Sequence, residues 1–220
     1  MSRSLQIVVT EDRTHTLYNP HFGEHYHSTF GAIQESEHIF IRAGLEPFIG
    51  RHDTIHVFEM GFGTGLNALL TFLQAEKTGQ KIRYYGLEAF PISMETAKML
   101  NYPESLNADR KLFLKFHKPD HLINISPEFT LVKETGTMEQ TVLPDEHFDV
   151  VYFDAFSPEA QPELWTQEIF GKIYNAMKTG GVLTTYSCKG TVKRAMKAAG
   201  FQLEKLPGPP GKREFLRATK

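Results

Sequence analysis

The chain is 220 residues long, 40% hydrophobic and 23% charged, enough to bury a substantial core and too short for two large domains, so one domain over residues 1–220 is expected. No stretch approaches the roughly 20 apolar residues that cross a bilayer, and Met1-Ser2-Arg3-Ser4 leads into no apolar signal core, which excludes a membrane protein and points to the cytoplasm. The net charge of −2 is unevenly divided: residues 189–220 hold nine Lys/Arg against two acids, and the first 188 residues hold 15 basic against 24 acidic side chains, so a basic end sits on an acidic body, an arrangement that can orient a polyanion or simply be solvated.

Residues 1–50 read as an N-terminal extension packed on the core. His15, His21, His25, His27 and His38 crowd it without the spacing of a metal motif, and most are expected on surface or loop positions. The single cysteine, Cys188, excludes an internal disulfide, and no Cys/His set has zinc spacing, so no metal is expected. Residues 55–59 form a short β-prone run that ends in glycines. Leu66, Leu69, Leu70 and Leu73 then repeat at helical spacing, which predicts strand, turn, helix. Residues 82–88 predict a second strand, and 93–100 a helix opened by Pro91. A third strand is expected over 129–133. Phe148-Asp-Val-Val-Tyr-Phe-Asp154 is nearly continuous apolar sequence, the pattern of a central parallel strand covered on both faces. A helix follows to Met177 and is broken at Gly180-Gly181 before a fifth strand over 182–186. A helix over 192–199 stops at Gly200, and strands over 201–206 and 214–218 flank the Pro207-Gly208-Pro209-Pro210-Gly211 turn. The alternation predicts a doubly wound α/β fold, a mostly parallel seven-stranded Rossmann-like sheet flanked by helices.

Three features carry chemistry. Glu59-Met-Gly61-Phe-Gly63-Thr-Gly65 sets three alternate glycines between strand and helix, where the missing Cβ permits a tight turn and close approach of a ligand. The spacing is not that of a pyrophosphate-binding turn. Together with the preceding acid, Glu59, it favours a nucleoside bearing an ammonium and a sulfonium, such as S-adenosyl-L-methionine, although a purely structural turn has the same look. Glu88, 23 residues past Gly65 at a strand end, is suited to accept hydrogen bonds from both ribose hydroxyls. Asp154, in Asp154-Ala-Phe156-Ser-Pro158, stands at the carboxyl end of the fourth strand, where the ligand crevice of such sheets lies, or else caps the next helix.

These motifs, with Tyr152-Phe-Asp-Ala-Phe-Ser-Pro158, Pro162-Glu-Leu-Trp165, Gly180-Gly181, Val192-Lys-Arg194, Ala199-Gly-Phe201 and Gly211-Lys-Arg-Glu214, fall in the order seen in the methyltransferase domain of the MnmC family. Tyr26-His-Ser28, Gly31-Ala32, Glu35 and His38-Ile-Phe-Ile41 extend the likeness over nearly the whole chain, which resembles the stand-alone form, MnmD. The resemblance implies a class I S-adenosyl-L-methionine-dependent methyltransferase that converts 5-aminomethyl-(2-thio)uridine at the tRNA wobble position to the 5-methylaminomethyl product. It also implies that the flavin-dependent oxidase half of MnmC is absent, so that another route supplies the amine. Where related sequences carry Gly-Asp after the third strand, this chain has Gly136-Thr137, and Glu139 or a backbone group would have to meet the adenine amino group.

Methyl transfer needs a neutral amine, so Asp154 is expected to orient it and accept its proton. Phe156 and Trp165 would stack on the flipped base, with Pro158 in the same motif, unless either ring belongs to the core. Lys212 and Arg213, on the Pro/Gly-rich turn, would hold anticodon-loop phosphates. Two competitors fit part of the pattern: an aminopropyltransferase of the spermidine synthase kind, and a catalytically inactive cofactor-binding RNA partner.

Overall fold

The computed structural model describes residues 4–220. Met1, Ser2 and Arg3, part of the segment read as lacking a signal core, lie outside the described residues. Near the N-terminus, β1 (Gln6–Val9), β2 (His15–Asn19) and β3 (Glu24–His25) pair antiparallel as a small separate sheet. Helix α1 (Ala32–Ser36) runs on as a wide π-helical segment over 37–45 that buries Ile39, Phe40, Ile41 and Leu45.

The main sheet is built by β4 (Thr54–Met60), β5 (Lys81–Glu88), β6 (Leu122–Asn124), β7 (Phe129–Thr135), β8 (Phe148–Phe153), β9 (Met177–Thr185), β10 (Gln202–Pro207) and β11 (Glu214–Thr219). Its order is β10-β11-β9-β8-β4-β5-β7-β6, with parallel pairing from β9 through β7 and antiparallel strands at both margins. The chain reverses its direction of travel across the sheet at β4 and β8, and the crevice at their carboxyl ends is where ligands of such sheets bind. Every residue of β8 is buried, because apolar layers cover both faces of the sheet.

On one face lies α2 (Leu66–Thr78), which buries Leu66, Leu69 and Leu70 as its spacing predicts. The π-helical segment packs with it, so Ile39, Phe40 and Leu45 share a core with Val57 and Leu69. On the other face lie α6 (Gln167–Ala176), capped by the Thr166 hydroxyl, which accepts the Ile169 N–H, and α7 (Gly190–Ala198). Helix α3 (Met94–Met99) begins at Ser93, whose side chain accepts the Thr96 N–H; the turn is capped there and not at Pro91.

The fold differs from expectation in three places. Among the described residues the main sheet has eight strands, because β6 adds an antiparallel edge. That strand is three residues long with Leu122 exposed, too short to show alternation in the sequence. The short helices α4 (Tyr102–Ser105) and α5 (Arg110–Lys115) precede it and escaped notice for the same reason. Finally, β9 begins at Met177. Gly180-Gly181 do not stop a helix but sit inside the strand, where its register against β8 jumps from Phe148↔Met177 to Val150↔Val182.

Candidate active site

A cavity of about 480 Å³ opens at the carboxyl ends of β4, β5 and β8, within the ~300–1,000 Å³ typical of small-molecule sites. Gly61, Gly63, Glu88, Asp154 and Phe156 line it together, although they come from three separate turns. The glycine turn is fixed by protein packing as much as by any ligand. Gly61 has φ +88°, and a Cβ there would stand 2.5 Å from the Asp154 carbonyl oxygen. Gly63 has φ +50°, and its Cβ would press on the Tyr26 ring at 3.1 Å. Gly65 caps α2 and packs against Phe62 and His117, away from the cavity lining.

Glu88 ends β5 with both oxygens engaged. Oε2 accepts the Gly63 N–H at 2.8 Å and Oε1 the Phe90 N–H at 2.8 Å, so the acid holds the glycine turn to the next strand. Burial raises its pKa against the pull of those N–H donors. Each oxygen keeps further acceptor capacity and Glu88 lines the cavity, the acceptor chemistry that a ribose diol requires. Thr137, Met138 and Glu139 close the same cavity beyond β7. The residues present therefore fit an adenosyl group.

Asp154 follows β8. Its Oδ2 accepts from Asn67 Nδ2 at 2.8 Å, and the same Nδ2 donates to Glu59 Oε1 at 2.8 Å. Burial, and then the nearby Glu35 charge, push the Asp154 carboxyl up to about 7, against the Asn67 hydrogen bond and the Lys212 charge. Glu59, expected beside the cofactor ammonium, is fully buried, faces α2 and does not line the cavity. Burial drives it toward its neutral form, with its pKa well above the ordinary value. Asn67 links it to Asp154.

Phe156 lines the cavity with one face stacked on Phe22 (centroids 4.5 Å, 30°) and an edge contact to Tyr26 (5.0 Å). Trp165 corrects an expectation: it is 6% exposed, its ring lies against Phe153 and Phe170, and its N–H donates to the Phe156 carbonyl at 2.9 Å. A base cannot stack on a ring this buried and outside the cavity lining, so Trp165 is core that holds the Phe156 loop. Pro158 is half-buried in that loop and outside the lining.

Lys212 also departs from expectation. Its Nζ is 2.9 Å from Glu35 Oε1 and 4.4 Å from the centre of the Tyr186 ring, at the half-buried wall of the cavity, so its charge is paired and not left free for phosphates. Arg213, the next residue, is exposed.

The N-terminal segment supplies what motif reading missed. Glu24 of β3 accepts the Ser157 N–H at 2.9 Å and the Ser157 hydroxyl, which ties the small sheet to the loop after β8. Tyr26, His27 and Glu35 line the cavity, and His27 is buried and held neutral, its pKa lowered to about 4 by burial. The only hint in the sequence was the likeness of Tyr26-His-Ser28 and Glu35 to the family. Asn67 stood within the glycine motif without an assigned role. Among the described residues no group of three or more His, Cys, Asp or Glu side chains is arranged to hold a metal ion, and no helix is long and apolar enough to cross a membrane.

Residues 114–220 match a family described as S-adenosyl-L-methionine-dependent methyltransferase. Over 215 residues the chain is 32% identical to the tRNA 5-methylaminomethyl-2-thiouridine biosynthesis bifunctional protein MnmC of Cupriavidus metallidurans, covering 91% of this chain and 32% of that protein. The MnmC of Nitrosospira multiformis is 31% identical over 219 residues, 91% of this chain and 35% of that protein. The chain thus spans about a third of the length of the curated relatives it matches. In structure it is similar to MNMC2 from Aquifex aeolicus, with a TM-score of 0.81 and 24% identity over 99% of this chain and 71% of that one. A more distant likeness of fold links it to spermidine synthase from Thermotoga maritima, with a TM-score of 0.53 and 16% identity over 98% and 70% of the two chains.

Proposed function

We propose that this chain is an S-adenosyl-L-methionine-dependent methyltransferase, as the family matched over residues 114–220 supports, and that it methylates the exocyclic amine of 5-aminomethyl-(2-thio)uridine at the tRNA wobble position to give 5-methylaminomethyl-(2-thio)uridine. One observation carries the reading: a carboxyl group pushed up to about 7, Asp154, faces the same cavity as the glycine turn and Glu88. A proton acceptor of that strength matches an amine that must lose its proton near neutral pH. The names of the similar proteins supply the substrate class.

When bound, the cofactor supplies an electrophilic methyl group on a sulfonium. Glu88 would accept from its ribose hydroxyls, and the turn around Gly61 and Gly63 would let the nucleoside approach the backbone. Asn67 fixes Asp154 through Oδ2, which leaves Oδ1 to accept a hydrogen bond from the substrate amine and then its proton. Asp154 works as a base only when ionised, so its useful fraction rises through pH 7 as the free amine also becomes more abundant. Phe156, backed by Phe22 and edged by Tyr26, forms an aromatic wall for the uracil, and exposed Arg213 holds a neighbouring phosphate. We take residues 1–220 as one methyltransferase domain with 1–50 as its extension, and a tRNA substrate would put it in the cytoplasm.

The test is incubation of the purified protein with S-adenosyl-L-methionine and tRNA carrying the aminomethyl base, followed by mass spectrometry of the nucleosides. Gain of one methyl on that base is expected. Unchanged tRNA, with aminopropyl transfer from the decarboxylated cofactor to a diamine, would replace this reading with the polyamine one.

A further inference from the structure

Glu35 and Lys212 stand in the wall of the cavity, and neither has a part in the reaction as described. Glu35 is on α1 and is 7% exposed. Its Oε2 accepts the Ser28 N–H at 2.7 Å, and its Oε1 meets Lys212 Nζ at 2.9 Å. Lys212 reaches in from the turn between β10 and β11, 177 residues along the chain, and its ammonium lies over the Tyr186 ring. The Tyr186 hydroxyl in turn donates to the Ala155 carbonyl at 2.9 Å, next to Asp154. A half-buried ion pair of this kind is weak as a source of stability, because the desolvation of Glu35 and the part-desolvation of Lys212 offset most of their mutual attraction. Its location beside a reactive carboxylate is what calls for an explanation.

We propose that the Glu35–Lys212 pair is a positioning device for Asp154: it fixes the β10–β11 turn to α1 at the cavity wall, and its two opposed charges set how readily Asp154 takes and releases a proton. The inference rests on Asp154 as the proton acceptor. A lysine free in this cavity would be drawn to Asp154, would hold it ionised in a direct salt bridge and would block the amine. Glu35 and the Tyr186 ring keep Lys212 off it. Glu35 without Lys212 would be an uncompensated buried charge repelling Asp154, which would then hold its proton too tightly. With both present the two charges oppose each other at Asp154, and burial is left as the leading influence on it. Other titratable groups around Asp154 are Glu59 on β4, Tyr84 on β5, Tyr102 on α4 and Tyr186 after β9, and the cavity wall adds Glu24, Tyr26, His27 and Glu88, of which Tyr26 and His27 are held neutral by burial. Tyr84, Tyr102 and Tyr186 also stay neutral through the working range, since burial raises each of them further. Glu59, driven toward its neutral form, contributes little change.

The experiment is a carbon-13 NMR titration of the Asp154 carboxyl in the cofactor-free protein, assigned by its loss in Asp154→Asn. Glu35→Gln should move the titration to lower pH, and Lys212→Met to higher pH, each by roughly half to one pH unit, the scale of a nearby charge partly screened by solvent. Lys212→Arg, which keeps the charge, should titrate like wild type and gives a reading even if Lys212→Met folds poorly. A merely structural pair would shift melting temperature without moving the two titrations in opposite directions. A wild-type titration in Glu35→Gln, or shifts of the same sign in Glu35→Gln and Lys212→Met, overturns the proposal. The readout needs no turnover, so it is distinct from a failure of the methyltransferase reading, which shows instead as unmethylated tRNA in the assay above.

Discussion

Asp154→Asn should make the protein more stable while making it a poor enzyme, and the stabilisation should depend on pH. The carboxyl titrates at 3.8 in an ordinary setting and at about 7 in the fold. Between those values the folded chain binds the extra proton and the unfolded chain does not. The contribution of this group to stability is therefore complete below about pH 4 and is lost as pH rises to about 7. Roughly three pH units at 1.36 kcal/mol each amount to about 4 kcal/mol. Because the carboxylate is partly open to the cavity, water reduces that to about 2 kcal/mol. An amide of the same shape keeps an oxygen for Asn67 and carries no charge, so it escapes this cost. For a chain of this size about 2 kcal/mol is about 4–8 °C in melting temperature. Calorimetric melts of wild type and variant at matched pH from 5 to 8.5 should show the advantage of the variant growing toward pH 7 and then staying level. A difference that is constant across that range would mean that Asp154 has no raised proton affinity in the fold, and the argument for it as a base would fall with it.

Glu88→Gln should weaken S-adenosyl-L-methionine binding by about tenfold or more, since its amide keeps an oxygen for only one of the Gly63 and Phe90 N–H groups and removes the charge, and Gly63→Val should weaken it further because its Cβ would meet the Tyr26 ring; calorimetric titration of folded variants checks both, and wild-type affinity in either puts the cofactor elsewhere. Trp165→Phe should cost about 1 kcal/mol in denaturant unfolding through the lost bond to the Phe156 carbonyl, with an unchanged apparent Michaelis constant for tRNA; a large rise in that constant would return Trp165 to the substrate. Arg213→Glu should raise the apparent Michaelis constant for tRNA and flatten its dependence on salt, leaving cofactor affinity alone, and equal salt slopes would remove Arg213 from the RNA surface.

The local order of the central elements was legible in the sequence because its causes are local. Four leucines at helical spacing define α2, and an unbroken apolar run between two aspartates makes β8 a strand buried on both faces. Glycines at alternate positions need no tertiary knowledge to be read as a turn, and the carboxyl ends of the strands border the crevice of a doubly wound sheet, where Gly61, Gly63, Glu88 and Asp154 meet at one cavity. What those acids do there depends on neighbours far along the chain. Glu59 and Glu88 look alike as strand-end acids; the first is fully buried against α2 and the second opens to the cavity, because side chains on a strand alternate between faces and only the packed fold says which face is lined. Trp165 and Phe156 are both aromatic residues near one motif, and burial alone separates the core ring from the cavity wall. Lys212 reads as a surface cation until Glu35, brought up by α1, turns it inward. Periodicity and turn chemistry act over a few residues and belong to the sequence. Desolvation and charge pairing act through space, and in this protein they join residues 24, 35, 67, 154 and 212, which the tertiary structure alone brings within reach of one another.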